Sequence, residues 1–198
     1  METMELIIET AFLAFIENGY DRVSLNEIIR RTGLTKGAFY HYFTSKSELI
    51  QEVVKKYFFT HISNTIGAID GSGETFREKM VKIYSNVLNV NIRFNNYQDR
   101  IIDRNEFMHL LQECMDMDKD LRKIVFEQQI KTISTMRKAI EEGKINREIR
   151  DDVDSLDLAE LINATVRGTM ISSVTLSKKE TEEKLKKNME TMLTLICI

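Results

Sequence analysis

A chain of 198 residues, 42% of them hydrophobic, carries enough apolar surface to close its own core without staples. Its two cysteines, Cys114 and Cys197, match no metal or redox spacing and read as free thiols; the acidic N-terminus METMELIIETAF is no secretion signal, and no apolar run nears the roughly 20 residues a membrane span needs, so a cytoplasmic protein is expected. The net formal charge of −3 excludes a surface basic throughout, yet Arg22 to Lys46 sets five bases against Glu27 alone, a local +4 that leaves −7 for the rest.

Proline is absent and glycine numbers only eight, which favours an all-α fold of about nine helices. Ile8, Ala11, Phe12 and Phe15 recur at helical spacing and form one apolar stripe, and Asn18-Gly19 stops that first helix. Ser24 followed by Glu27 predicts a capping box opening a second helix that runs through Arg31 to Gly33. Thr35 caps a third helix over 36–43, and Ser45 with Glu48 is a second capping box starting a fourth. Further helices are predicted over 46–68, 74–92, 97–114, 118–142, 154–176 and 178–196, with breaks at Asp70-Gly-Ser-Gly73 and at Arg93-Phe-Asn-Asn96.

Two short helices joined at a glycine describe a helix-turn-helix, whose second helix enters the major groove of DNA. The third helix divides by face: Phe39 and Phe43 suit packing against Ile28, Ile29 and Leu34, while Lys36, Gly37, Tyr40 and His41 point the other way. Lys36 can donate to a guanine edge or a phosphate, and Gly37 and Ala38 let the backbone come close. Tyr40, His41 and Tyr42 can donate to phosphates. Lys46 stands at the positive end of the fourth helix, where a bound phosphate would offset the repulsion. Taken singly, each of these is as well read as ordinary surface or core edge; the spacing and the concentrated charge together point to DNA.

The segment GYDRVSLNEIIRRTGLTKGAFYHYFTSKSEL closely resembles the signature of TetR-family transcriptional regulators, with the Gly-Tyr after the first helix, the Ser cap, the turn glycine, K-G-x-x-Y-x-x-F and K-x-x-L, over about Leu6 to Leu49. Ile29 and Thr32 depart from the pattern, standing where the family commonly has alanine. The resemblance implies that Ser24, Thr35, Lys36, Gly37, Ala38, Tyr40, His41 and Lys46 contact DNA, mostly phosphates, with base reading by Lys36, Gly37, Ala38 and Asn26. It implies a DNA-binding domain over 1–46 and an effector-binding and dimerisation domain over 47–198. It further implies a repressor that binds a near-palindromic operator as a homodimer and is released by a small, apolar effector.

The segment Glu142 to Asp154, followed by Ala159, Leu161 and Gly168, resembles the family's link into its last two helices, which in the family form a four-helix dimer interface. Leu158, Leu161, Ile162, Thr165, Val166, Thr169 and Met170, then Leu185, Met189, Met192, Leu193 and Ile196, supply an apolar surface for it, and Gly168 would allow close helix approach; intrachain core is the other reading. By the same resemblance, the middle helices enclose a pocket, with Phe76, Met80, Tyr84, Phe94, Tyr97, Phe107, Met108, Leu111 and Met115 as lining candidates and Glu106 and His109 as polar groups; an aromatic and methionine stripe reads equally as plain core. His41, His61 and His109 lie in separate segments, and no catalytic, metal or cofactor motif occurs, so no enzyme is expected. A helical adaptor gripping a protein or peptide partner is the other class.

Overall fold

The structure, a computed structural model, describes residues 2–59, 66–67, 69–70, 73–88, 92–93, 101–102, 104–172 and 176–198. Nine α-helices lie among these residues: α1 (Thr3–Asn18), α2 (Leu25–Thr32), α3 (Lys36–Tyr40), α4 (Lys46–Val54, running on into a π-helical turn, Lys55–Phe59), α5 (Phe76–Leu88), α6 (Arg104–Met117), α7 (Lys119–Ile145), α8 (Ser155–Ser172) and α9 (Lys178–Ile196). The all-α expectation holds. So do the expected stops, because Gly19 (φ +83°) and Gly33 (φ +70°) take backbone angles that residues with a Cβ rarely adopt.

Several boundaries differ from expectation. Residues 101 and 102, expected in a helix starting at 97, pair antiparallel with 92 and 93 in a two-residue ladder (β1, Ile92–Arg93; β2, Ile101–Ile102), and the helix begins only at Arg104. The β-branched isoleucines of these segments favour extended backbone. α6 also runs on past 114, to Met117, because Asp118 is the stop: its Oδ1 accepts the Leu121 N–H at 2.9 Å and so caps α7. α3 closes at Tyr40 rather than 43, although the Phe43 N–H still reaches the Phe39 carbonyl at 3.2 Å. Glu27 leaves the first expected capping box half made, since its carboxylate turns to Arg31. Ser177 and Glu180 make a complete one.

The chain divides into two compact units, one of residues 1–60 and 91–126, the other of 61–90 and 127–198. In the first, Ile7, Ala11, Phe12 and Phe15 of α1 meet Ile28, Phe39, Phe43, Leu49 and Ile50, with Phe107, Leu111 and Cys114 of α6 completing the core. Each fully buried phenylalanine contributes about 2–3 kcal/mol of apolar transfer. The second unit packs Phe76, Met80 and Tyr84 of α5 with Ile140 of α7, Leu158 and Ile162 of α8, and Leu185, Met189 and Leu193 of α9. Its C-terminus is tied in where Ile149 bridges Cys197. Gly143 packs tightly there, for a Cβ at that position would stand 2.7 Å from the Ile149 Cδ1, which would have to shift.

Candidate nucleic-acid interface

The interface is set by caps and by one buried face. Ser24 Oγ accepts the Glu27 N–H at 3.2 Å, Thr35 Oγ1 the Ala38 N–H at 3.2 Å, and Ser45 Oγ the Glu48 N–H at 3.0 Å, fixing where α2, α3 and α4 start. Ser24 and Thr35, both expected at DNA, are thus also structural caps. Phe39 and Phe43 are buried and anchor the short third helix. Its outer face carries Lys36, Gly37, Ala38, Tyr40 and His41, all exposed, with Tyr42 beside them and Asn26 exposed on α2. Tyr40 rests edge-on against Phe39 (ring centroids 5.8 Å) and His41 against Tyr42 (5.2 Å), so the rings are braced while their polar ends face outward. A Cβ at Gly37 would meet nothing within 4 Å, which leaves the backbone open to close approach.

The five bases of this segment have different partners. Arg31 is taken up within the protein, pairing with Glu17 and Glu27 at 2.7 Å each. Lys46 is half-buried: its Nζ lies 4.3 Å from the Tyr20 ring centroid and donates to the Asp21 carbonyl at 3.1 Å, and burial is the main cause that lowers its pKa. Arg22, Arg30 and Lys36 are exposed, and among the described residues none of them is in an ion pair. Arg30 stands four residues after Asn26 on the outer side of α2, since the intervening Ile28 and Ile29 are buried. Arg22 and Arg30 entered the sequence reading only as part of the local charge; what sets them apart is the pairing of Arg31 with Glu27 and, from α1, with Glu17, and no local spacing signals the second.

The candidates for an effector pocket are not gathered in one cluster. Phe76, Met80 and Tyr84 belong to the core of the second unit. Phe107 and Leu111 are buried in the core of the first, with Met108 and Met115 half-buried against it. Phe94 and Tyr97 lie outside the described residues, while Glu106 and His109 are exposed. A groove of about 450 Å³ in the second unit is lined instead by polar groups, among them Asp70, Glu74, Lys79, Glu142 and Glu148.

The candidates for a partner surface divide by exposure. Leu158, Ile162, Thr169, Leu185, Met189 and Met192 are each less than 8% exposed and pack within the chain, so α8 and α9 use them to hold each other and α5. Thr165 and Val166 are half-buried, and the side chain of Met170 is outside the description. Leu161 and Gly168 remain outward, in line with Ile171, and Leu195 is exposed on α9.

Taken together, these features define an all-helical protein with an N-terminal helix-turn-helix head. Residues 7–53 match the family model for bacterial regulatory proteins of the tetR family. The chain is 37% identical over 90 residues to YuxN of Bacillus subtilis (strain 168), an HTH-type transcriptional regulator, a match covering 44% of this chain and 31% of YuxN. It is 31% identical over 127 residues to the TetC protein of transposon Tn10 of Escherichia coli, covering 63% of this chain and 58% of TetC. The alignments therefore span less than two thirds of either relative. In fold, the crystal structure of a TetR-family transcriptional regulator from Cytophaga hutchinsonii matches with a TM-score of 0.76 over 99% of this chain and 95% of that one, at 21% identity. The family likeness therefore lies in residues 7–53, which match the tetR family of bacterial regulatory proteins, while the likeness over the rest of the chain is one of fold.

Proposed function

We propose that the protein is a ligand-responsive transcriptional repressor that docks α3 in the major groove of a near-palindromic operator. Residues 1–46 form the DNA-binding part, and 47–198 hold the effector and the dimer contacts. The division of residues 36–43 between buried Phe39 and Phe43 and an exposed Lys36, Gly37, Tyr40 face carries this reading. Ser24, Thr35, Tyr40, His41, Tyr42 and Lys46 contact phosphates, with Arg22 and Arg30 added to them; Lys36, Gly37, Ala38 and Asn26 read bases. Two heads reach half-sites roughly 34 Å apart, one DNA turn. The outward apolar and small residues Leu161, Gly168, Ile171 and Leu195 supply the homodimer surface. Of the pocket candidates, Met108 and Met115 keep side-chain surface to offer a small apolar effector.

Effector binding releases the operator only by its difference in affinity for the two conformers. The test is binding to a duplex selected from a random pool by the wild-type chain, beside a random duplex. Lys36→Ala should cost roughly 1–3 kcal/mol on the selected duplex and less on the random one. Arg30→Ala should weaken both alike and lower the salt slope by about 0.9. Wild-type binding that is absent, or indifferent to salt, would favour the helical adaptor instead.

A further inference from the structure

The corner where α6 meets α7 touches the head at two points, one on each side of Lys46. Glu113 reaches from α6 to the turn after α1, where its Oε1 accepts the Asp21 N–H at 3.1 Å. Gly19 leaves room for that carboxylate, since a Cβ there would lie 3.2 Å from the same oxygen. The carbonyl of Asp21 in turn accepts from Lys46 Nζ, and Tyr20, between Gly19 and Asp21, provides the ring under the ammonium. Asp118 is buried and acts on the other side: one oxygen caps α7 and the other accepts the hydroxyl of Ser47, the residue after Lys46. The seat of Lys46 and the start of α4 are therefore held from the same corner. All these residues lie within the first compact unit.

We infer that Glu113 and Asp118 are positioning residues for DNA binding, holding Lys46 and the start of α4 at the phosphate backbone although neither carboxylate touches DNA. This rests on the reading that the head binds DNA. A carboxylate beside DNA repels phosphate, so the simple electrostatic expectation is that removing Glu113 strengthens binding. Positioning reverses that sign.

The experiment measures affinity and salt slope on a random-sequence 30-base-pair duplex for the wild type, Glu113→Ala, Glu113→Gln, Ser47→Ala, Lys46→Ala and the Glu113→Ala/Lys46→Ala pair, each checked by thermal unfolding. Ser47→Ala removes one bond of Asp118 without removing the α7 cap. Glu113→Ala should weaken binding roughly five- to tenfold near 0.1 M salt and lower the slope by about one, as Lys46→Ala does. The double variant should lose little more than either single one, and Glu113→Gln, which keeps an oxygen acceptor for the Asp21 N–H, should recover most of the affinity. Ser47→Ala should show a smaller loss of the same kind. Folded Glu113→Ala and Ser47→Ala proteins that bind as tightly as the wild type, or more tightly, overturn the inference while the DNA-binding reading stands; a wild type without salt-dependent binding overturns both.

Discussion

The head and the α8–α9 pair are both built from helices with buried apolar residues, yet they use their outward faces differently. In α3 and the turn after it, Phe39 and Phe43, four residues apart, are buried, and the residues between them are exposed. In α8 and α9, most of the apolar residues that suggested a partner surface are buried within the chain, and the outward residues are few and spread, among them Leu156, Leu161, Gly168, Ile171 and Leu195. A five-residue helix has one anchoring face and little freedom in placing it. A helix of 18 or 19 residues has several neighbours to satisfy, and its own pattern does not say which neighbour takes which residue.

The sharpest break between fold and contact falls inside α3. Phe39→Ala empties a fully buried ring position beside Phe43 and should cost about 3–5 kcal/mol, enough to unfold much of the first unit. Tyr40→Phe, one residue on, should stay within about 0.5 kcal/mol of the wild type in chemical denaturation and still lose about 1 kcal/mol of operator affinity with the hydroxyl. Equal operator affinity in a folded Tyr40→Phe protein would remove that hydroxyl from the phosphate contacts.

How far the sequence could be read follows from the same contrast. Capping serines and threonines, turn glycines and one-turn aromatic spacing act over three or four residues, so α1 to α3 and the start of α4 were legible; the end of α4, expected at 68, was not, since the α-helix stops at Val54 and passes into a π-helical turn. The half-made capping box at Ser24 was not, because Glu27 had a competing partner in Arg31, itself held by Glu17 from α1. Lys46 was legible as a charge, but its seat on Tyr20 depends on α4 folding back against the turn after α1. Asp118 and Glu113 looked like solvated acids; their partners stand 71 and 92 residues away, beyond any local pattern. The pocket set has no local signature either, since aromatic and methionine residues of α5 and α6 also serve two buried cores.

Two glycines sharpen the comparison at intermediate cost. Gly143→Val places atoms against Ile149 and should destabilise the second unit by about 1–3 kcal/mol through overpacking. Gly168→Leu meets nothing within 4 Å of its Cβ, and replacing a mid-helix glycine gains several tenths of a kcal/mol of helix propensity. Its folded stability at low concentration should therefore hold or rise. If the outward face of α8 is the dimer surface, sedimentation of the same variant should shift toward monomer; an unchanged dimer would move the contact elsewhere.

The smallest effect belongs to Tyr84, a buried member of the second core whose hydroxyl has no hydrogen-bond partner among the described residues. Leaving a buried hydroxyl unpaired costs free energy, so Tyr84→Phe should match or exceed wild-type stability at pH 7, by up to about 1 kcal/mol. The pH dependence gives the sign a second check. Burial pushes the Tyr84 pKa up to about 12 from its ordinary 10.0, so the unfolded chain ionises this tyrosine first. The stability tied to its neutral form is fully present below pH 10 and is lost as pH rises through the folded value. Tyr84→Phe cannot ionise, so its advantage over the wild type should be small at pH 7 and widen between about pH 10 and pH 12. A constant difference across that window would mean that the hydroxyl is solvated or paired in the folded protein, and would place Tyr84 outside the dry core.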